Sequence, residues 1–416
     1  MLNPKTKQRE LCYIVKIDKI EPITGSDNCE SARVGGWSVM VRKGTFKEGD
    51  LAIYFEVDSK VDTTKSEFSF MERYHGKIKT QRYTFGGKNP GFYSQGLLMH
   101  PSDFGWEVQI EPLGGVRTEV AIDDEGKAHY PDDESRFLTK KLGVVYSVVE
   151  DNKRKGKTVD KYKRMAQRLG KKADTPIFKW LYEKNWGKKL LFFFYGNKKE
   201  DGRLAWPSHI CSKTDVERIQ NAMYFLEDKN VYVATEKIDG SSFTVAAEKK
   251  RFGKIKYYVC SRNVVFEDEK EDCFYDKNIY YEAYYKYNLK EKITRLLNDY
   301  NLKNVAIQME IYGEGIQKRD YSTKEHKIAV FHIVSDREKL SMDRVVELCH
   351  KYDIPHVPII DPAFFFPETL EELQAYVEGA PSKIDGKEKE GIVFYDKATG
   401  QKYIKFVSPK FLIKYH

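Results

Sequence analysis

Residues 231–245 constrain this chain more than any other stretch. Two β-prone apolar runs, Val231 to Ala234 and Phe243 to Val245, flank a polar turn carrying Glu236, Lys237, Asp239 and Gly240. The pattern predicts strand–loop–strand. Gly240 stands where the backbone must turn tightly or come close to a ligand. A lysine between two acids in such a loop has the placement of a covalent nucleophile, provided its amine is neutral when it attacks. Alone, Lys-x-Asp-Gly is a short pattern that an ordinary hairpin also satisfies, and the residues downstream of it decide between the two.

The 416 residues suffice for about two to three domains with real cores. Charged residues make up 32% and hydrophobic ones 41%, the balance of a soluble globular chain. The first ten residues hold no apolar core of signal-peptide length, and the strongly apolar stretch around Leu190–Tyr195 is too short to span a bilayer. A cytoplasmic protein without membrane contact is expected. The cysteines at 12, 29, 211, 260, 273 and 349 form no Cys-x-x-Cys pair, and the histidines form no His-x-x-x-His pair. Metal binding is then expected to use carboxylates and a hard cation. The net charge of +8 is uneven: residues 151–200 carry 16 Lys/Arg against 5 Asp/Glu, which leaves the rest of the chain at −3. A strip of that kind fits a phosphate-rich partner, with a solvated helix and linker as the alternative.

Short strands separated by turns are expected over the first hundred residues: Leu11–Ile20, Glu30–Val34, the alternating stretch around Trp37, Val39 and Val41, Leu51–Val57 and Gln95–Met99. The Gly/Pro-rich stretch 86–91 precedes the last of them. About five short strands in this length fit a small barrel, most simply an OB-like one. The boundary of this domain is placed near residue 150. A short helix is expected at Val159–Leu169, an apolar strand at Lys189–Tyr195, and a turn at Gly196-Asn197. From residue 203 onward strands and helices alternate. Lys213–Ile219 carries a capping-box signature in Thr214 and Glu217 and predicts a helix. Helices are also predicted in the C-terminal half of Phe274–Tyr300, at Ser341–Tyr352, and at Pro367–Val377 with Gly379 beyond its end. Strands are predicted at Lys256–Cys260, Val305–Ile311, Ile328–Val334, Ile392–Tyr395 and Tyr403–Val407. The fold class is therefore α+β, with domains at 1–150, 151–202 and 203–416.

Polar groups recur at or beside these strands in a fixed order. Ser261-Arg262-Asn263 follows one strand, Glu310-Ile311-Tyr312-Gly313 ends another, Glu390-Gly391 opens a third, and Lys405 lies within the last. Together they make a site in which Lys237 is the nucleophile. Arg262 and Lys405 supply positive charge for phosphates, and Asp239, Glu310 and Glu390 are available for ribose hydroxyls or Mg²⁺. Cations beside Lys237 are expected to depress its pKa.

The ordered set Lys237-Ile-Asp-Gly240, Ser261-Arg262-Asn263, Glu310-Ile-Tyr-Gly313, Val330-Phe331-His-Ile333, Glu390-Gly-Ile-Val393 and Ile404-Lys405 resembles the nucleotidyltransferase motifs of covalent polynucleotide ligases and capping enzymes. Trp206-Pro-Ser-His-Ile and Lys213 to Asn221 resemble RNA ligases in particular. Gly35 to Gly44, Gly49 to Asp58, Ser94 to Met99 and Leu138 to Gly143 are similar to the nick-sealing RNA ligases of Deinococcus type, which carry an OB barrel before the catalytic domain. The likeness covers roughly residues 10–146 and 200–412 and leaves 151–200 unmatched. It implies an antiparallel-sheet nucleotidyltransferase (ATP-grasp-like ligase) domain that uses ATP and Mg²⁺ or Mn²⁺. Lys237 would take AMP from ATP, AMP would pass to a 5′-phosphate end, and a 3′-hydroxyl would displace it. By the same likeness Glu310 contacts the AMP ribose, Phe331 stacks on adenine, Glu390 binds the metal with Asp239, Lys405 contacts the α-phosphate, and Arg262 engages the ribose or nucleic-acid end. Glu236 and Ile238 join the nucleotide pocket. Two positions depart from the pattern. Val407 stands where some RNA ligases carry a second lysine, a charge that either Lys402 or the 151–200 strip would replace unless its loss is normal for this branch, and His332 stands where relatives often have Asp.

The chain runs only from Lys405 to residue 416, too short for the C-terminal OB domain of DNA ligases and capping enzymes. That favours the RNA-ligase branch, the resemblance implies RNA at the 3′-OH side of a duplex nick, and a monomer is expected. A general DNA ligase, a guanylyltransferase and a degenerate nucleic-acid-binding protein remain the alternatives. If the basic strip tracks a phosphate backbone, neutralising Lys153, Arg154, Lys155 and Lys157 should flatten the salt dependence of RNA binding. An unchanged slope of log affinity against log salt returns the strip to a solvated linker.

Overall fold

The period-two patterns of the first hundred residues form strands because one side of each is apolar and must be covered. The computed structural model describes residues 1–3, 8–85, 91–106, 121–122, 128–129, 137–147, 173, 175–195, 204–267, 269 and 277–416. The N-terminal strands are β1 (Cys12–Lys16), β2 (Lys19–Pro22), β3 (Cys29–Val34), β4 (Trp37–Arg42), β5 (Leu51–Phe55), β6 (Ser59–Lys60), β7 (Thr80–Tyr83), β8 (Phe92–Gln95) and β9 (Leu97–Met99). Two antiparallel sheets, β1-β5-β9 and β2-β3-β4, enclose a core of Tyr13, Val34, Trp37, Val39, Tyr54 and Leu98. The other face of β1 and β5 is covered by the 3₁₀ segment Ser66–Tyr74 and by Leu138 and Leu142, so residues 137–147 return to the barrel. Three small pairs complete the region: β7 with β8, β10 (Ala121–Ile122) with β11 (Ala128–His129), and β12 (Val145–Tyr146) with β6.

Two predicted elements take other forms. The apolar run predicted as a strand at Lys189–Tyr195 belongs to the helix Asn185–Tyr195, which packs Leu191 against Phe178 of the helix Pro176–Glu183. A short apolar run fits strand or buried helix equally by periodicity, and the partner helix decides. The helix predicted at Lys213–Ile219 is extended chain. Its capping residues serve tertiary contacts instead: Thr214 Oγ1 lies 3.1 Å from Ser242 Oγ, and Glu217 accepts from Leu2 N and from Asn221 Nδ2 (2.8 Å). The helix expected at Pro367–Val377 begins later, at Leu370, where Thr369 and Glu372 form a reciprocal cap, and it includes Gly379. Val159–Leu169, Gly196-Asn197, most of 86–91 and the basic residues 153–157 lie outside the described residues.

The C-terminal domain holds two further antiparallel sheets. Its strands are β13 (Tyr232–Lys237), β14 (Ser241–Lys249), β15 (Ile255–Ser261), β16 (Val265–Phe266), β17 (Asn304–Tyr312), β18 (Lys327–Ser335), β19 (Glu338–Lys339), β20 (Ile359–Phe364), β21 (Gly391–Asp396) and β22 (Tyr403–Val407). The six-stranded sheet runs β16-β15-β14-β17-β18-β19 and the four-stranded sheet β20-β13-β21-β22. The helices Ile279–Lys286, Leu289–Asp299 and Met342–Lys351 bury their apolar stripes against the larger sheet. Residues 231–245 are thus no hairpin. β13 and β14 lie in different sheets, and Ile238-Asp239-Gly240 carries the chain from one to the other. A Cβ on Gly240 would stand 2.3 Å from the Ile311 carbonyl oxygen, so the crossing needs glycine because the chain passes this close to β17.

The barrel is fixed to the C-terminal domain through Asn221. Its Oδ1 accepts from Trp37 Nε1 (2.6 Å), while its Nδ2 donates to Glu56 (2.9 Å) and Glu217. Glu56 is fully buried and also accepts from the Met1 amine, Tyr13 OH (2.9 Å) and both Nε and Nη2 of Arg9 (3.0 and 2.8 Å). Arg218 Nη2 pairs with Asp58 at 2.8 Å, and the Gly36 N–H donates to the Gln220 carbonyl at 2.8 Å. Burial alone would raise the Glu56 carboxyl, but the Met1 amine, Arg9 and Arg218 outweigh it and hold it well below the usual carboxylate range. Its contribution to stability is therefore complete above the ordinary glutamate pKa and is lost as pH falls through the depressed native value. Glu56→Gln leaves Arg9 buried without its countercharge and should destabilise the protein by roughly 3–5 kcal/mol at neutral pH. Denaturant titrations at neutral and acid pH check this, with the gap between wild type and variant narrowing on acidification.

Candidate active site

Lys237 closes β13 opposite Gly391, so the residue before β21, Glu390, falls beside it. Lys237 Nζ donates to Glu390 Oε2 at 2.7 Å. A Cβ on Gly391 would sit 2.1 Å from the Phe406 carbonyl oxygen, so glycine lets β21 lie close enough to β22 for this register. On the sheet beyond, Thr235 faces Val393 and Val393 faces Lys405, which places Lys405 in line with the lysine side of β13. Glu310 pairs across β17 and β14 with Ser242, two residues past the crossing, on the face of the larger sheet turned away from the helices. The Asp239 N–H donates to Tyr321 OH at 2.6 Å. Its carboxylate Oδ2 is buried without a hydrogen-bond partner at ordinary length, and His416 Nε2 stands 3.5 Å away.

The electrostatics follow from these neighbours. Burial pulls the Lys237 ammonium down, but Glu390, Glu310 and Asp239 together hold it above the ordinary lysine value. This reverses the expectation of a depressed nucleophile: carboxylates surround the amine more closely than cations do. Lys405 shows the depression instead. Burial, together with Arg9, Lys237 and Arg218, pushes it well below the usual lysine value. Burial, reinforced by Glu390 and Asp239 and opposed by Lys237, pushes Glu310 up to about 8. Glu390 is raised by burial against the pull of Lys237.

The remaining predicted residues divide into two groups. Arg262 lies close enough to Glu310 to oppose the rise of its carboxyl, and its guanidinium pairs with Asp215. Phe331 is half-buried at a bulge of β18, where the register shifts between Gln308 and Met309. Ile238 is buried in the main core beside the crossing. Glu236 and Lys402 point elsewhere. The Glu236 carboxylate lies on the opposite side of β13, accepting from Ser382 Oγ and from Lys383 N at 2.7 Å. Lys402 is bound to Asp228, with its ammonium 4.7 Å from the Phe225 ring centroid, on the opposite face of β22 from Lys405. It does not replace the charge missing at Val407, which is itself core. His332 is fully buried between Tyr395 and Tyr403, ring centroids 5.4 and 5.1 Å away, and burial holds its pKa well below the usual imidazole range. It is a neutral core ring and carries none of the charge of an aspartate.

Arg9 and Arg218 reach the neighbourhood of Lys405 from outside the motifs. Arg218 is 5% exposed and its backbone bridges to Lys405. The only signal for it in the sequence was its place in the stretch Lys213 to Asn221. Arg9 gave none. Among the described residues no three His, Cys, Asp or Glu side chains converge as a ready-made metal cage. The Asp239 oxygen, which has no hydrogen bond and only His416 as a 3.5 Å neighbour, and the crowded carboxyls of Glu310 and Glu390 still fit a hard divalent cation, since Mg²⁺ keeps several waters and takes substrate phosphates as ligands.

Residues 230–416 match the RNA ligase family model. The chain carries an RNA ligase domain. Residues 11–99 match an OB-fold domain model, which makes the N-terminal barrel an OB-fold domain. Solved structures of a Naegleria gruberi RNA ligase share the fold over nearly the whole length. The form with PPi has a TM-score of 0.66 at 24% identity, covering 98% of this chain and 99% of that one. A mutant with ATP and Mn gives 0.64 at 24% identity over 98% of both chains, and a mutant with AMP and Mn gives 0.65 at 23% over 98% and 99%. Among curated proteins no sequence matches the chain. All the motif residues named above from Lys237 to Lys405 lie inside the ligase domain, whereas Arg9 and Glu56 belong to the N-terminal part.

Because Glu390 is the foremost charge holding the proton on Lys237, Glu390→Gln should let the amine lose it at lower pH. Mapping Lys237 acylation by an amine-reactive ester against pH, without nucleotide, reads this directly. The curve of the variant moves toward acid; an unmoved curve removes Glu390 from this role.

Proposed function

We propose that this protein is an ATP-dependent RNA ligase that seals 3′-OH/5′-phosphate breaks, above all nicks in duplexes, through AMP bound to Lys237. The observation that carries the reading is the 2.7 Å contact between Lys237 Nζ and Glu390, inside a ligase domain and ringed by Glu310, Asp239 and Lys405. Lys237 Nζ attacks the α-phosphorus of ATP, a P–N bond forms, the bond to the β-phosphate oxygen breaks, and pyrophosphate leaves. The amine must first give up a proton, and Glu390 is hydrogen-bonded to receive it. A 5′-phosphate oxygen then attacks the AMP phosphorus, the P–N bond breaks and Lys237 regains its proton; the 3′-hydroxyl oxygen next attacks the 5′-phosphorus, releases its proton to water, and AMP leaves as the phosphodiester forms.

The other residues position and neutralise. Burial and neighbouring cations disfavour the Lys405 ammonium, and an α-phosphate bound beside it supplies the countercharge that favours it. Arg262 takes the ribose or the nucleic-acid end, Glu310 the AMP ribose, and Phe331 a face of adenine, with Ile238 at the pocket floor. A divalent cation held by Glu390 and Asp239, Mg²⁺ or Mn²⁺, supplies positive charge to the polyphosphate. The ATP and Mn forms of the structurally similar Naegleria gruberi ligase support this choice of ligands. We assign residues 1–150 to RNA binding, 151–202 to a basic connection and 203–416 to nucleotidyl transfer, in a monomer working in the cytoplasm. No helix among the described residues is long and apolar enough to cross a membrane.

Lys237→Ala should abolish covalent labelling by α-labelled ATP and leave RNA binding nearly intact, as judged by denaturing gels and filter binding. Surviving label refutes the nucleophile. With nicked duplexes, ATP and Mg²⁺, wild type should seal behind an RNA 3′-terminus and fail behind DNA. Equal sealing of both makes it a general polynucleotide ligase.

A further inference from the structure

Three loops meet at Lys237: the crossing 238–240, residues 313–326 between β17 and β18, and residues 380–390 leading into β21. The link between the second and the third lies behind the reacting groups. Arg319 and Asp385 form a two-pronged ion pair, Nη1–Oδ2 2.7 Å and Nη2–Oδ1 2.6 Å, with side chains only 1% and 5% exposed. Arg319 Nε also donates to the Glu388 carbonyl at 3.3 Å, two residues before Glu390. Ser322 Oγ and the Lys387 N–H each donate to the Asp385 carboxylate at 3.2 Å. The Arg319 guanidinium lies 4.4 Å from the ring centroid of Tyr321, whose hydroxyl accepts the Asp239 amide. Gln317 Nε2 donates to the Gly240 carbonyl at 2.9 Å.

Alternate residues of one segment therefore grip different loops. Gln317 and Tyr321 hold the crossing that follows Lys237, and Arg319 holds the loop that delivers Glu390. A buried ion pair adds little net stability, because two charges lose their water. A guanidinium fork on a carboxylate does fix distance and angle at once, which an apolar contact does not. Tyr321 and Ser322 both adopt left-handed backbone, φ 53° each, a conformation that surrounding contacts must maintain for residues other than glycine. The other side of the 380–390 loop is anchored to β13 by Glu236 through Ser382 and Lys383, so the loop is pinned from two directions.

We propose that Arg319, Asp385 and Tyr321 are positioning residues for nucleotidyl transfer: the buried pair and the tyrosine hydroxyl hold the Glu390 loop and the nucleophile loop in the one arrangement that sets Lys237 against its carboxylates. The proposal rests on the reading that Lys237 takes AMP. It is tested by single-turnover labelling with α-labelled ATP over a range of ATP concentrations, on wild type, Tyr321→Phe and Asp385→Asn. Thermal unfolding and RNA binding are measured on the same preparations. Tyr321→Phe removes one oxygen and keeps the ring under Arg319. Its limiting labelling rate should fall roughly ten- to hundredfold, as for a small misplacement of reacting groups. Half-saturating ATP, melting temperature and RNA affinity should stay near wild type. Asp385→Asn should fall at least as far, and if that protein does not fold, Tyr321→Phe alone decides. A Tyr321→Phe protein that labels at the wild-type limiting rate, or whose loss lies wholly in half-saturating ATP, overturns the positioning role while leaving the ligase reading in place. Wild type that takes no label overturns both.

Discussion

A lysine amine attacks phosphorus only after it has lost its proton, and in this protein three carboxylates keep that proton on. The contact between Lys237 and Glu390 is possible because β13 ends at Lys237 in one sheet and β14 begins at Ser241 in another. Three residues make the crossing, so the lysine stands at the seam of the two sheets, with β21 delivering Glu390 from one side and β17 delivering Glu310 from the other. Among the protein's own groups, acidic residues outweigh basic ones around Lys237, and basic residues outweigh acidic ones around Lys405. The surroundings thus favour the ammonium at Lys237 and disfavour it at Lys405, and an incoming polyphosphate meets an arrangement that its own charge will rebalance.

The OB-fold domain takes part in this electrostatic arrangement. Arg9 binds Glu56 within the barrel and at the same time adds to the field that depresses Lys405. Arg218 does so from the ligase side while its guanidinium pairs with Asp58 of the barrel. The charge environment of a motif lysine is thus set partly by residues hundreds of positions earlier in the chain.

That distance explains why some features were legible in the sequence and others were not. The motif residues were legible because each stands at a strand end whose apolar alternation is local, and their order along the chain was specific although no single motif was. The family match supports the domain they lie in. Glu56, Asn221 and Trp37 lay in stretches that carried the likeness, but nothing there announced their contact: an acid, an amide and an indole become a network only when the tertiary fold brings positions 37, 56 and 221 together. Arg319 and Asp385 were silent for the same reason. Misreadings arose where a local signal was real but put to another use. Thr214 and Glu217 have the spacing of a helix cap and the geometry of a domain contact, and the apolar run at 189–195 had no way to announce the helix it packs against. The raised Lys237 was missed because a sequence shows which charges are present but not which of them stand nearest.

The four hydrogen-bonding roles of the Asn221 amide have a bearing on how such proteins can be recombined. One oxygen facing Trp37 and Tyr13, and one nitrogen facing Glu56 and Glu217, make this side chain the common register mark of both domains. Neither half is an exchangeable cassette. A chimera that joins this ligase domain to a foreign OB fold inherits a docking socket without its key, unless the tyrosine, tryptophan and glutamate travel with the graft, and lineages that shuffled these modules would have had to move the set as one.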